Sequence, residues 1–188
     1  MPFVDRPDAR IHYLDEGEGP ALLLLQGVGV AASGYRPQID ALARDHRCIA
    51  IDNRGIGQSE GTLAALSVDL LARDALAVVE SLGLRQVHVV GHSLGGVVAQ
   101  RFAHIARART ASLVLLCTFR GGRDLAHPSA RLIWLGTLSR FGTRAMRRRA
   151  FVRMVMPASV IAARGADALA DELESLFGRS LAAPSPVA

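Results

Sequence analysis

The stretch that decides the fold is Val87-His88-Val89-Val90-Gly91-His92-Ser93-Leu94-Gly95-Gly96. An apolar segment typical of a strand runs into Gly-x-Ser-x-Gly, and a helical pattern follows. This order predicts a sharp strand-to-helix turn that lifts the Ser93 hydroxyl out of the sheet in a strained conformation. The neighbours of such a turn must be small, and Gly91 and Gly95 meet that need. Ser93 is therefore a candidate nucleophile at a helix N-terminus, where free N–H groups favour developing negative charge.

The composition is that of a folded domain. The chain has 188 residues, 50% of them hydrophobic and 21% charged, which excludes a disordered chain. No apolar run approaches the roughly 18 residues of a membrane span, and no signal peptide is seen, so we expect a cytoplasmic protein. Cys48 and Cys117 fall in predicted strands far apart in sequence. We expect both to be free thiols that pack as small buried hydrophobic residues.

Strands alternate with helices along the first 117 residues. Strands are predicted at 9–14, 21–25, 48–51, 87–90 and 111–117, and helices at 37–44, 67–82 and 95–106. The run 21–25 is continuously apolar, which is typical of a strand buried on both faces. Ser67 is expected to cap the second helix, and Gly83 to end it. The alternation predicts an α/β fold, with a mostly parallel sheet and helices on both faces.

Past Cys117 the pattern changes to helices, and no further strand is evident. These helices are broken at Gly136, Gly142, Pro157 and Gly165. The last residues are rich in Ala, Pro and Ser, a composition typical of a disordered tail. We expect a core at 1–120, a helical segment at 121–178 and a disordered tail at 179–188.

The helical segment carries a local excess of positive charge. Seven arginines and no acidic residue lie between Arg131 and Arg153, in a chain of net charge +5. Interleaved apolar residues leave two interpretations open: a helix for a membrane surface or nucleic acid, or a helix with one packed face whose arginines are solvated or paired with residues absent from this sequence. We favour the second, because no nucleic-acid-binding fold is recognisable. The acidic residues of a later helix are expected to form a solvated face; they are Asp167, Asp171, Glu172 and Glu174.

Three blocks of the chain carry a family resemblance. Leu-Leu-Leu-Leu-Gln-Gly-Val-Gly at 22–29 is similar to an apolar strand followed by His-Gly-x-Gly, and Asp-Asn-Arg-Gly-Ile-Gly-Gln-Ser at 52–59 to a D-x-R-G-x-G-x-S loop. The third block is the Gly-His-Ser-Leu-Gly-Gly turn at 91–96. In this order the chain, over residues 9–178, resembles the N-terminal two-thirds of an α/β-hydrolase of the esterase, lactonase and haloperoxidase-like kind. The segment 121–178 would then be the cap, and the chain would be truncated after it.

The resemblance implies a mechanism. Ser93 would attack a carboxylic ester, lactone or thioester and form an acyl-enzyme. The oxyanion would be held by two backbone N–H groups, those of Leu94 and Val28. Gln26 stands where the family often has histidine, a side chain that organises the oxyanion loop. The supporting residues are expected to be Gln26, Gly27, Gly91, His92 and Gly95, with His92 packed beneath the turn. The partner would be a small ester-like molecule.

The acid and the histidine of the family's triad are not found in their usual places, because the strands that carry them do not appear. Asp124 and His127 are weak candidates in the loop after the last predicted strand. The alternative is a catalytically incomplete fragment or pseudoenzyme that needs a partner segment for both groups. The strand at 111–117 would then leave an open sheet edge, where self-association is expected. We expect no metal and no cofactor, because neither metal-ligand spacing nor a phosphate-cradling glycine motif occurs.

Overall fold

A computed structural model of the chain describes residues 2–64, 66–120, 134–135, 137–138 and 142–177. The chain divides into two compact units, at 1–121 and 122–188. The strands are β1 (Phe3–Arg6), β2 (Ala9–Glu16), β3 (Ala21–Leu25), β4 (Arg47–Ile51), β5 (Glu60–Gly61), β6 (Val87–His92) and β7 (Thr110–Leu116). The helices are α1 (Arg36–Leu42), α2 (Val68–Ser81), α3 (Leu94–Ile105), α4 (Arg144–Val155), α5 (Ala158–Arg164) and α6 (Ala166–Phe177). Two 3-10 turns occupy Ala32–Tyr35 and Arg107–Arg109.

The first unit is built on one mixed sheet. Its described strands follow the order β1-β2-β4-β3-β6-β7, and β5 also pairs with β2. The pairs among β4, β3, β6 and β7 are parallel, whereas β2 pairs antiparallel with β1, β4 and β5. The mostly parallel α/β sheet is therefore confirmed. The sequence missed β1 and β5, which have only four and two residues.

The sheet has a hydrophobic core on each face. Side chains alternate along β3, so Leu23 and Leu25 join the cluster formed with α2 and α3, while Leu22 and Leu24 pack in the cluster that contains Ile39 of α1. All five residues of β3 are buried, as a strand covered on both faces requires. Burial of this kind supplies most of the favourable free energy of folding.

Helix α2 begins and ends where its sequence signals place the boundaries. The Ser67 hydroxyl accepts a hydrogen bond from the Leu70 N–H at 3.2 Å, which satisfies one of the free amides of the first turn. Gly83 follows the helix with φ +64°, a conformation that L side chains rarely adopt. Both predicted boundaries are confirmed.

Strand β7 is an open edge of the sheet. Within the described part of the chain it pairs with β6 alone, and its large apolar side chains are between 38% and 44% exposed. The strand contains neither a charged residue nor a proline, the features with which proteins protect an edge. One prediction is wrong here: Cys117 lies just beyond β7, is exposed and has φ +48°, whereas Cys48 is buried as expected. Both thiols are free, and burial raises the pKa of Cys48.

The second unit contains α4, α5 and α6 with a small core of its own. Val152 and Leu169 are at its centre. Pro157 and Gly165 separate the three helices, as predicted. The predicted tail at 179–188 lies outside the described residues.

The charged side chains of α4 and α6 form ion pairs with each other. Four cross-helix ion pairs join the two rows, Arg144 to Glu174, Arg148 to Asp171 and Glu174, and Arg149 to Asp167. Arg164 of α5 pairs with Glu172. The expectation that these charged side chains are solvated is confirmed, because the paired side chains are between 31% and 73% exposed. The sequence did not show that the two rows face each other and pair. In the described chain, no helix has the length and apolar character needed to cross a bilayer.

Candidate active site

Ser93 occupies the turn between β6 and α3. Its backbone has φ +54° and ψ −119°, a strained conformation for a residue with a side chain. Two further contacts fix the turn: the Ser93 N–H donates to the Leu116 carbonyl at 2.9 Å, and the Thr118 hydroxyl donates to the Ser93 carbonyl at 2.6 Å. The sharp turn with positive φ, predicted from Gly-x-Ser-x-Gly, is confirmed.

Glycines allow the turn to sit against its neighbours. A Cβ on Gly95 would overlap the Leu25 carbonyl oxygen at the end of β3, and one on Gly91 would lie 2.5 Å from the Gly95 carbonyl oxygen. A Cβ on Gly27 would lie 3.2 Å from the Cβ of Ser93 and 3.5 Å from Nδ1 of His92. The loop after β3 therefore packs directly against Ser93, and His92 lies at the same contact.

The two amides assigned to an oxyanion hole are Val28 and Leu94. Neither donates a hydrogen bond to any group in the part of the chain that the structure describes. Val28 is 75% exposed in the loop after β3, and Leu94 is the first residue of α3, where the amide has no partner within the helix. Both N–H groups are therefore without an acceptor among the described residues. Their assignment as an oxyanion hole stays a prediction.

Gln26 supports the loop from within. It is 6% exposed, and its Oε1 accepts a hydrogen bond from the Gly27 N–H at 3.1 Å. Because Gly27 donates, the oxygen end of the Gln26 amide must face it. The glutamine thus holds the backbone of the loop, which is the kind of role that the resemblance implies for this position.

The second motif, 52–59, is held by a buried network. Both carboxylate oxygens of Asp52 accept hydrogen bonds, from the Ala32 N–H, the Gln58 N–H and Nδ1 of His12. The motif by itself predicts that Asp52 and Arg54 hold their loop by local hydrogen bonds. For Asp52 this is correct only of the bond from Gln58, since Ala32 and His12 are distant in sequence. For Arg54 it is wrong, because Arg54 binds two carboxylates distant in sequence.

Arg54 joins the loop to the rest of the unit. Its side chain is fully buried and pairs with Asp74 at 2.5 Å and Asp8 at 2.6 Å. Hydrogen bonding to Arg54 lowers the pKa of Asp8. Hydrogen bonding to Asp74 and Asp8 raises the pKa of Arg54. No local pattern indicates these pairs, because the residues lie 20 and 46 positions apart.

No described residue forms a hydrogen bond with the Ser93 hydroxyl. His12 binds Asp52, and Nδ1 of His88 bonds to the Ser112 hydroxyl at 2.8 Å. Asp124 and His127, the candidate acid and base, lie outside the described residues. The described part of the chain contains no group of His, Cys, Asp and Glu that could hold a metal ion.

Sequence reasoning missed Thr118. Its hydroxyl caps the Ser93 carbonyl, and its side chain occupies the space that a Cβ on Gly96 would enter. A parallel pairing of β6 and β7 brings the ends of both strands to one edge of the sheet. This parallel pairing is the signal by which Thr118, the polar residue shortly after β7, could have been predicted to lie near Ser93.

A serine held at a strained strand-to-helix turn, on a mostly parallel sheet with helices on both faces, defines an α/β protein with a nucleophile elbow. The sequence profile of the alpha/beta hydrolase fold matches residues 20–170. The chain belongs to the alpha/beta hydrolase fold family.

Curated relatives match rather less than two thirds of the chain. A protein of Azorhizobium caulinodans, provisionally named carbamate hydrolase RutD, is 36% identical over 116 residues, which are 62% of this chain and 44% of that protein. The 2-hydroxy-6-oxononadienedioate/2-hydroxy-6-oxononatrienedioate hydrolase of Burkholderia vietnamiensis is 38% identical over 124 residues, 63% of this chain and 43% of the relative. The matched region thus spans less than half the length of these relatives.

Solved structures extend the similarity to nearly the whole chain. A hydrolase from Pseudomonas aeruginosa PA01 is 25% identical with a TM-score of 0.73, and the match covers 96% of this chain and 69% of that one. A thermophilic esterase from Thermogutta terrifontis is 22% identical with a TM-score of 0.74, and the match covers 98% and 68%. The esterase is evidence of the shared fold alone.

Proposed function

We propose that this chain is a serine hydrolase in which Ser93 attacks the carbonyl carbon of a small carboxylic ester, lactone or thioester. The observation that carries the proposal is the conformation of Ser93, φ +54° at the N-terminus of α3, with Gly27 packed against its Cβ. A protein retains such strain where the surrounding structure enforces it, and such residues cluster at functional sites.

The reaction would follow from this geometry. The Ser93 hydroxyl gives its proton to the base, for which His127 is the candidate, as its oxygen forms a bond to the carbonyl carbon, and the carbonyl oxygen becomes an oxyanion that the N–H groups of Val28 and Leu94 stabilise. Collapse breaks the bond to the alkoxy or thiolate group, which takes the proton from the base; the alcohol or thiol then leaves, or stays attached to the acyl group when the substrate is a lactone. Water gives a proton to the base, adds to the acyl-enzyme and releases the acid and Ser93. Each oxyanion donor typically contributes about 10²–10³-fold to the rate. Asp124 and His127 remain the candidates for acid and base, and the chemistry needs no cofactor.

The relatives support a small carbonyl substrate without naming one for this chain. One is named for a carbamate and another for an oxo-dienedioate, and one similar structure is that of an enol-lactonase. We place the activity in the cytoplasm, as the sequence predicts.

The test compares the purified chain with its Ser93→Ala variant in hydrolysis of p-nitrophenyl acetate. With Asp124 and His127 as acid and base, we expect a rate that depends on Ser93 and exceeds the roughly 10³–10⁴-fold over water that binding and an oxyanion hole give without a complete triad. Equal rates for the two proteins, with and without the added segment described next, would overturn the proposal.

A second candidate is a chain that acts only with a partner segment, which is favoured by the open edge at β7. Four neighbouring apolar side chains, those of Leu113, Val114, Leu115 and Leu116, are 38–44% exposed there. The added segment would be the C-terminal part of the Azorhizobium caulinodans relative, beyond its match to this chain. Turnover that needs both Ser93 and the segment would support this candidate. Full turnover by the chain alone would contradict it.

A further inference from the structure

We infer that Asp52 is a positioning residue for the loop that carries the Val28 amide, a role that rests on the proposed function. The loop in question is 27–32, between β3 and the following 3-10 turn. At the end of this loop the Ala32 N–H donates to Oδ1 of Asp52 at 2.6 Å, and the Gly34 N–H of the 3-10 turn donates to the Ala31 carbonyl at 2.9 Å. Among the described residues, the bond from Ala32 to Asp52 is the one that joins the loop to the segment that follows β4.

The sheet brings Asp52 to this position. β3 and β4 are parallel neighbours with Leu25 opposite Ile51, so their carboxyl ends meet at one edge. Asp52 is the first residue after β4, and it therefore lies beside the loop that leaves β3. It is 2% exposed, and a carboxylate so buried must be fully hydrogen-bonded to be tolerated.

The other carboxylate oxygen is held from two sides. Oδ2 of Asp52 lies 2.8 Å from Nδ1 of His12 and 2.9 Å from the Gln58 N–H that donates to it. A carboxylate accepts, so Nδ1 of His12 carries the proton. Nε2 of His12 then accepts from the Gln58 amide at 3.3 Å. The imidazole is 2% exposed and cannot turn away without breaking both bonds.

The backbone closes the network. The Asp52 N–H donates to the His12 carbonyl at 3.0 Å, and the Ser59 hydroxyl donates to the Asp52 carbonyl at 2.7 Å while it accepts from the His12 N–H at 2.8 Å. Gly57 has φ +59°, and a Cβ there would overlap the Asp52 carboxylate. The loop 53–59 therefore surrounds the Asp52 carboxylate, and the oxygen that this loop leaves uncovered, Oδ1, accepts the hydrogen bond from Ala32.

The consequence concerns Val28. At its first end the loop is fixed by β3 and by Gln26, and at its second end by Asp52. Val28 and Gly29 lie between, with no hydrogen bond of their own to a neighbouring element among the described residues. Loss of the Asp52 carboxylate would release the second end and let the Val28 N–H move away from the oxyanion.

The experiment compares Asp52→Ala and Asp52→Asn with Asp74→Asn as the matched control. Asp74 is an equally buried carboxylate that pairs with Arg54 and Arg6 and does not contact the loop 27–32. Amide exchange and ¹⁵N–¹H spectra are recorded on ¹⁵N-labelled chains. In Asp52→Ala we expect at least tenfold faster exchange at Ala32 and a shifted or broadened Val28 amide signal, and smaller changes of the same kind in Asp52→Asn. Asp74→Asn should show neither.

An unchanged Val28 signal in both Asp52 variants would overturn the inference, and so would equal changes in the Asp74 control. The kinetic arm uses p-nitrophenyl acetate, where Asp52→Ala should lower kcat about tenfold or more with KM little changed, because an oxyanion donor acts in the transition state. If wild type and Ser93→Ala hydrolyse the ester equally, with and without the added segment, the proposed function fails while the amide measurements still decide the role of Asp52. If Asp52→Ala does not fold, Asp52→Asn decides both arms.

Discussion

Replacement of Gly95 by alanine tests how closely the start of α3 packs against the end of β3. Gly95 lies in the first turn of α3, and a Cβ there would overlap the Leu25 carbonyl oxygen and lie 2.6 Å from that of Gln26. Both atoms belong to the backbone at the end of β3, which is held between β4 and β6. No rotamer change relieves the overlap, so α3 or β3 must move.

The magnitude follows from two opposed effects. Overpacking a well-packed site typically lowers the free energy of unfolding by about 1–3 kcal/mol. Because the overlapped atoms here belong to rigid backbone, we expect a loss of about 3 kcal/mol. Alanine is about 1 kcal/mol better than glycine in a helix. The free energy of unfolding should therefore fall by about 2 kcal/mol, equivalent to a decrease in Tm of about 4–8 °C for a chain of this size.

The assay is urea unfolding followed by circular dichroism, with His104→Ala as the control. His104 is exposed near the end of the same helix, so alanine there changes helix propensity without an overlap. We expect the control to be as stable as wild type or slightly more stable. If Gly95→Ala matches the control instead, α3 does not seat on β3 as described, and the reasoning fails.

Three further predictions concern the edge of the sheet, the turn and acid stability. Thr118→Val removes the hydrogen bond to the Ser93 carbonyl and should lower the free energy of unfolding by about 1 kcal/mol in the same urea assay. We expect the wild type to self-associate through the β7 edge, and Leu115→Lys, which places a charge there, to shift the chain toward monomer in analytical ultracentrifugation. A wild type that is monomeric at all concentrations would contradict this. Arg54 lowers the pKa of Asp8 in the folded state, so the pair stabilises the fold above the ordinary carboxyl pKa and loses that contribution as the pH falls through the lowered value. The Tm should therefore fall between pH 5 and pH 3, and this fall should be smaller in Asp8→Asn, which lacks that titrating group.

The elements with strong local patterns were predictable from sequence. β3 is a continuous apolar run, α2 has a cap at Ser67 and a terminating Gly83, and the elbow has its glycines. β1 and β5 are too short to show the alternation of apolar and polar residues from which a strand is predicted. Cys117 was placed in a buried strand because an apolar pattern shows which residues could be covered, without showing whether a neighbour covers them.

The contacts that shape the site depend on sheet order instead. The bond from Ala32 to Asp52 joins residues 20 positions apart, and the bond from Thr118 to the Ser93 carbonyl joins residues 25 apart. Each forms because parallel neighbours bring their carboxyl ends to one edge. The sequence lists the strands but does not fix which strands are neighbours. The pairing of Arg149 with Asp167 escaped prediction for the same reason, since it depends on how two helices pack.

The central claim is that Ser93 is a nucleophile prepared by its backbone. The most direct measurement is peptide-mapped mass spectrometry of the chain during slow reaction with a fluorophosphonate, with the labelling rate determined for each serine. Ser67, an exposed helix cap, serves as the internal reference. We predict that Ser93 is labelled much faster than Ser67 and that the Ser93→Ala chain loses only this adduct. Labelling of Ser93 no faster than Ser67 would contradict the claim.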